Sequence, residues 1–353
     1  MDDALVLKVA GQEFRGWEEI EIQQGLDALA GHFRISLTDR WAGQPDKWQI
    51  DAGSPCEIWL GADKLMTAYI DDGDYQIDAE RRTIEITGRE KTLDLVDCSA
   101  VNKPGTWKGR KLEQIAADLT KPFGIKATAV AATGEAFPNF TLQQGETVFE
   151  AIQRMTKQRG VLPVTTVDGD LEFRTPGDQR GGYGLTLGEN LLSFGFKNDV
   201  AERFSEYLIK GYSDKATRGT KGHPASSSKD PGVPRYRPLV IVHDDKSTTA
   251  ILKKRALWEA SVRAAKCVSI KAKVQGWRAD DGTPYRHDRL VRVKAESQGV
   301  DADLLIVGVA FMLGARGTTA ELSLAPPEAY SLEPLPPPKG KSKGKGVKPV
   351  NWS

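Results

Sequence analysis

Four histidines, His32, His223, His243 and His287, are the chain's only imidazoles, and no two stand four residues apart, so no helical metal-binding pair arises. His223 falls in a polar stretch and His287 beside an expected turn, settings in which an imidazole is solvated rather than poised for proton transfer. The acidic run Asp71-Asp72-Gly73-Asp74 invites a calcium reading. The twelfth position counted from Asp71 is Arg82, however, where such a loop needs a bidentate carboxylate. A hairpin turn is the expected use of these residues, and Asp244-Asp245 and Asp280-Asp281-Gly282 read in the same way, as turn and helix-start residues. Gly105-Thr106-Trp107-Lys108-Gly109-Arg110-Lys111 departs from a phosphate loop: three residues rather than four separate its glycines, and Arg110 stands where the lysine belongs. No Gly-x-Ser-x-Gly nucleophile turn occurs. Carboxylate pairs that cleave glycosidic bonds meet in space, so Glu18 and Glu90 are available without being singled out. The inventory predicts no enzyme, with no catalytic, cofactor-binding or metal-binding residue.

Cys56, Cys98 and Cys267 are odd in number, widely spaced and without a CxxC pair, so neither a zinc site nor a disulfide framework is expected. Lys and Arg total 49 against 48 Asp and Glu, a formal charge of +1, which lacks the cationic excess that phosphate backbones require. No specific nucleic acid is therefore expected as a partner. The longest strongly apolar stretches, such as Leu304 to Leu313, are too short to span a bilayer, so no membrane insertion is expected. The acidic start Met1-Asp2-Asp3-Ala4 is unlike a secretory leader, and the chain is expected to begin in the cytoplasm.

The elements that would carry any site are mostly strands. Glu19 to Gln23 alternates with period two, as do Phe33, Ile35 and Leu37, then Cys56, Ile58 and Leu60, then Ile84 and Ile86. Six or so short strands between Gly and Asp turns predict a small closed or nearly closed barrel over residues 1–97. Residues 98–178 change character. Leu112, Ile115, Ala116 and Leu119 fall at helical spacing, and Pro122 with Gly124 stops the run. Thr147 opens a second helix through Val148, Ile152 and Met155, and Gly160 closes it. A hairpin with an Asp168-Gly169 turn follows. Residues 179–325 read as a second β-domain with an inserted helix at 248–266, and Ser213 to Pro238 as a long exposed loop. Residues 326–353 form a tail rich in Pro, Lys and Gly, too poor in apolar surface to fold alone. Its lysines have no acidic neighbour. Lys341, Lys343, Lys345 and Lys348, with Trp352, are the candidate partner-binding residues, in a docking peptide set against a merely solvated tail. The fold class is α+β, mainly β.

A series of phrases, taken in order, resembles the baseplate hub family of phage Mu-like contractile tails. They are Phe14-Arg15-Gly16-Trp17, Gly88 to Cys98, Trp107-Lys108 with Leu112 to Ala116, and Phe137 to Leu142 before Glu146 to Ala151. Leu187 to Leu192, Arg203 to Tyr207 and Lys210-Gly211-Tyr212 complete the set. The resemblance implies a structural role without a cofactor, and two tube-protein-like β-barrel domains flanking the α/β insert. It further implies a homotrimeric ring that joins a central spike to the tail tube or its initiator, in contact with other baseplate subunits. The location implied is the virion, after assembly in the host cytoplasm. Two other readings stay open at this point: a tail-associated peptidoglycan-degrading enzyme, and a carbohydrate- or receptor-binding tail protein suggested by eight tryptophans, among them Trp41, Trp48, Trp59, Trp107 and Trp277.

Overall fold

The computed structural model describes residues 4–39, 50–77, 82–212, 222–246, 248–315 and 317–332. Strands dominate. The first are β1 (Leu5–Val9), β2 (Gln12–Phe14), β3 (Glu19–Gly25), β4 (His32–Asp39), β5 (Pro55–Leu60), β6 (Asp63–Ile77) and β7 (Arg82–Glu90), followed by α1 (Leu93–Asp97). Successive side chains of a strand point to opposite faces, and the alternating residues Ile20, Ile22, Phe33, Ile35, Cys56, Ile58, Ile84 and Ile86 are all buried. Next come β8 (Thr106–Trp107), α2 (Leu112–Thr120), β9 (Ala127–Ala129), β10 (Phe140–Thr141), α3 (Val148–Arg159), β11 (Leu162–Thr165) and β12 (Leu171–Arg174). The rest are β13 (Arg180–Thr186), β14 (Leu191–Asn198), β15 (Glu206–Tyr212), β16 (Ala225–Lys229), β17 (Pro238–Lys246), α4 (Thr249–Lys266), β18 (Val268–Gln275), β19 (Arg289–Ala295), β20 (Val300–Gly314) and β21 (Gly317–Ala325).

The chain divides into two compact units, Met1–Gly195 with Lys271–Leu324, and Phe196–Ile270 with Ala325–Ser353. In the first, early and late strands share a sheet, in the order β18-β21-β20-β3-β4-β7-β6-β5-β1-β2, with β19 on β20 and β13 on β19. The second edge of β3 is taken by β20, Ile22 lying opposite Phe311 and Ile20 opposite Leu313. Among the described residues, therefore, the first seven strands do not close on themselves as a barrel. Two stretches of this sheet follow one plan. The six-residue β5 leads into the fifteen-residue β6 and the nine-residue β7, and the seven-residue β19 leads into the fifteen-residue β20 and the nine-residue β21. In both, the long strand pairs with the shorter strands on either side of it in sequence.

The segment from α1 to β12 has its own core, built on Leu95, Trp107, Ile115, Phe140, Ile152 and Phe173. Its longest helix is fixed at both ends. Thr147 Oγ1 accepts the Glu150 N–H at 3.1 Å while Glu150 Oε2 accepts the Thr147 N–H at 2.8 Å. Gly160, at φ 63°, closes it in the left-handed conformation that glycine adopts without steric penalty. Leu29, from the turn between β3 and β4, also enters this core. Its carbonyl accepts from Thr165 Oγ1 at 2.5 Å, and Thr165 and Thr92 share a hydroxyl hydrogen bond of 2.8 Å.

The second unit holds a three-stranded sheet, β16-β15-β17, with α4 on one face. Ile209, Leu252, Ala256 and Ile241 form the small core between them. Glu259, buried on α4, takes Arg255 at 2.7 Å and Arg263 at 3.0 Å, one helical turn away on either side.

Three local expectations are corrected. Asp71-Asp72-Gly73-Asp74 is not a turn but the middle of β6, where the register to β7 shifts between Ile70 and Asp72. A bulge supplies the local bend that the Asp-Gly pair had suggested. Asp244 and Asp245 lie in β17, and α4 starts instead on Thr248, whose hydroxyl accepts the Ile251 N–H at 3.4 Å. The supposed loop to Pro238 contains β16, a serine-rich strand that pairs with β15 from Lys229 opposite Glu206 to Ala225 opposite Lys210.

Candidate assembly surface

Large apolar side chains left in water concentrate in the second unit. Phe196, Val200, Tyr212, Tyr236, Val240, Val242 and Leu257 are all exposed there, Tyr236 at 89% and Val242 at 69%. The cause is local. In β17 the alternation turns Leu239 and Ile241 toward α4 and sends Val240 and Val242 the other way, beside Leu208 and Lys210 of the parallel partner β15. β17 is also the last strand of its sheet, with no further strand on its outer side among the described residues. An exposed apolar edge strand is a template for pairing with another chain, and a large exposed apolar patch marks an interaction surface.

The framework behind this surface is polar and well satisfied. Arg203 grips Asp230 through two hydrogen bonds of 2.7 and 2.9 Å, and that pairing raises the guanidinium pKa. Arg237 and Arg263 lie over the Phe204 ring at 4.8 and 5.6 Å. Trp258 Nε1 donates to the Ser331 carbonyl at 3.0 Å, tying α4 to the turn at Pro327–Tyr330. These contacts fix shape; none places a nucleophile beside a base.

Lys341, Lys343, Lys345, Lys348 and Trp352 lie outside the described residues, as do Trp41 and Trp48. Other tryptophans are committed to packing. Trp107 is buried against Phe140 and donates to Asp118 at 2.9 Å; Trp277 meets Phe311 edge-on and donates to the Met312 carbonyl at 3.2 Å. Lys8 and Lys64 cover Trp59 at 4.7 and 5.6 Å. Faces occupied in this way offer no stacking platform to a sugar. Glu90 is buried, and its carboxylate accepts from Gly31 N at 2.7 Å and Gln24 Nε2 at 2.5 Å, so it holds the chain together rather than facing a cleft. Glu18 is exposed. Cys56 and Cys267 are buried and all three cysteines are free; burial pushes the Cys56 thiol up to about 12. Among the described residues no three metal-ligating side chains converge. His32 and His223 are exposed, but His287 is not the solvated turn residue expected. Burial and the neighbouring Arg286, Arg289 and Arg174 bring its pKa down to about 4. Sequence reasoning missed both this cluster and the β17 edge; the signals were present as Arg286-His287-Asp288-Arg289 and as the aliphatic run Leu239 to Val242.

Comparison with known proteins gives this architecture a family. Residues 4–90 match the N-terminal domain of the Mu phage baseplate assembly protein GpP-like family, and residues 92–175 the second domain of the baseplate hub protein gp44-like family. Residues 248–333 match the fourth domain of the Mu phage baseplate assembly protein GpP. Baseplate hub protein gp44 of Escherichia phage Mu is 34% identical, over 98% of this chain and 93% of that protein. The crystal structure of the 43 kDa tail protein of prophage MuSo2 from Shewanella oneidensis superposes with a TM-score of 0.83 at 32% identity, covering 93% of this chain and 99% of the other. A tail protein from Neisseria meningitidis MC58 shares the fold, with a TM-score of 0.78 at 24% identity over 93% of this chain and 99% of its own. The chain thus belongs to the baseplate hub family of phage Mu and is a structural part of a phage tail baseplate.

Proposed function

We propose that the chain is a non-enzymatic hub that closes into a homotrimeric ring and joins the central spike to the tail tube, in contact with neighbouring baseplate subunits. The observation that carries this reading is the repeated strand plan, β5-β6-β7 and β19-β20-β21. Two similar β-units in one chain become six around a threefold axis, which matches a threefold spike on one side and a sixfold tube on the other. In this reading residues 1–97 and 179–325 are the two tube-protein-like, barrel-like domains, 98–178 the insert, and 326–353 a docking tail. Cyclic closure needs two complementary surfaces per chain of obligate-interface size, about 2,000 Å² or more in total. The exposed apolar edge of the second unit is suited to be one of them.

Imaging baseplates built with the native chain and with a chain lacking residues 339–353 tests both parts. The native particle should show three copies between spike and tube. The shortened chain should keep that ring while holding a neighbouring subunit less firmly. Any other copy number rejects the hub geometry, and unchanged occupancy of every neighbour rejects the docking tail.

A further inference from the structure

Within the first unit, a cavity of about 260 Å³ is lined by Arg174, Arg286, His287, Asp288 and Arg289, together with Gln24, Glu172 and the chain from Val164 to Val167. Its charges are unevenly matched. Arg174 is engaged by Glu172, with Nε at 2.7 Å from the carboxylate. Arg286 donates to the Lys64 carbonyl at 3.2 Å and Arg289 to the Asp288 carbonyl at 3.0 Å. Each guanidinium carries five N–H donors, and among the described residues neither Arg286 nor Arg289 has a carboxylate within ion-pairing distance. Burial and the charge of Arg289 lower the Arg286 pKa, and the three arginines help to hold His287 neutral. Three guanidiniums thus face two carboxylates, Glu172 and Asp288, across the lining.

Asp288 adds a second, opposite demand. It sits at φ 58°, a left-handed conformation uncommon for a residue other than glycine. Backbone outliers of this kind persist where surrounding structure enforces them, and they cluster at binding sites. One carboxylate oxygen accepts the Gly177 N–H at 3.1 Å. The other, Oδ2, is buried and accepts no hydrogen bond; the nearest cation, Arg174 Nη1, is 3.9 Å away. Burial raises the Asp288 pKa, so a ligand suited to this lining must offer anionic oxygens to Arg286 and Arg289 and a proton that Asp288 Oδ2 can share. Water at about 30 Å³ per molecule also fits the space, but it leaves the two guanidiniums without a counter-charge.

We propose that this cavity binds a phosphate group that retains one proton, with its oxygens on Arg286 and Arg289 and its hydroxyl donated to Asp288. A phosphomonoester has a second ionisation near pH 6 (about 6), so the protonated form is available close to neutrality. Sulfate matches hydrogenphosphate in shape and charge but carries no proton, and would set a bare oxygen against Asp288 Oδ2. Free phosphate and a phosphomonoester on another molecule share this chemistry.

The test follows the His287 imidazole resonance of the full chain in phosphate-free buffer, assigned through His287→Gln. At pH 7 inorganic phosphate should shift the His287 resonance saturably, since an anion held on Arg286 and Arg289 stands in the same cavity as the ring. Sulfate at equal ionic strength should need at least about a tenfold higher concentration, the equivalent of one good hydrogen bond. Glycerol phosphate acting as well as phosphate assigns the site to phosphomonoesters; phosphate alone acting assigns it to the free ion. Arg286→Gln should abolish the response, and Asp288→Asn should remove the preference over sulfate. No saturable response to phosphate, or an equal one to sulfate, overturns the proposal using the native chain alone. Either result is independent of the hub reading, since no assembly is measured.

Discussion

Glu90 sits where a buried carboxyl meets two donors and no cation. Its hydrogen bonds from Gly31 and Gln24 pull its pKa down, yet burial outweighs them and holds it above the usual value of 4.5. The folded chain therefore favours the protonated form. Stability from this group is full below pH 4.5 and declines as pH rises through the higher folded value. Glu90→Gln should flatten the fall in thermal midpoint between that pH and neutrality; a variant with the native slope contradicts the assignment. Leu29 acts through packing alone. Leu29→Ala should cost about 2–5 kcal/mol in chemical denaturation, the range for an emptied core site, because its side chain fills the core around Leu95 and Phe140. A loss below 1 kcal/mol (about 1), typical of a surface change, would place Leu29 outside that core. Neither role was legible beforehand, since both depend on partners more than fifty residues away, as the Leu29–Thr165 bond illustrates.

At the scale of elements, legibility followed local signals. The helices α2, α3 and α4 and the Asp168-Gly169 hairpin were readable because caps, apolar spacing and turn residues are written within a few positions. β16 was hidden because Ala-Ser-Ser-Ser-Lys has loop composition, and only the ladder to β15 makes it a strand. The bulge in β6 was mistaken for a turn because Asp72-Gly73 serves both purposes. Of the candidate site, the lysine tail was visible as composition, whereas the β17 edge depends on which strands lie beside it. A charge placed on an exposed edge blocks strand pairing. Val242→Lys should leave stability within about 0.5 kcal/mol of native and prevent assembly in sedimentation velocity with the spike protein present. Normal assembly of this variant would remove β17 from the interface.

For the whole molecule, the near balance of charge and the mainly β architecture suit a part that is held by shape rather than by substrate. The long-range pairing of β3 with β20 has a physical consequence. It ties residues almost three hundred positions apart, Ile22 with Phe311, into one sheet, so the two β-regions of the first unit cannot form independently of each other. The central claim is the threefold hub, and light scattering over a dilution series, with and without the spike protein of the same particle, tests it most directly. The account predicts three chains of 38.6 kDa per assembly, either as the mass of the free protein or as the mass added to that of the spike in their complex. A mass of one or two chains at every concentration, unchanged by the spike, would contradict it.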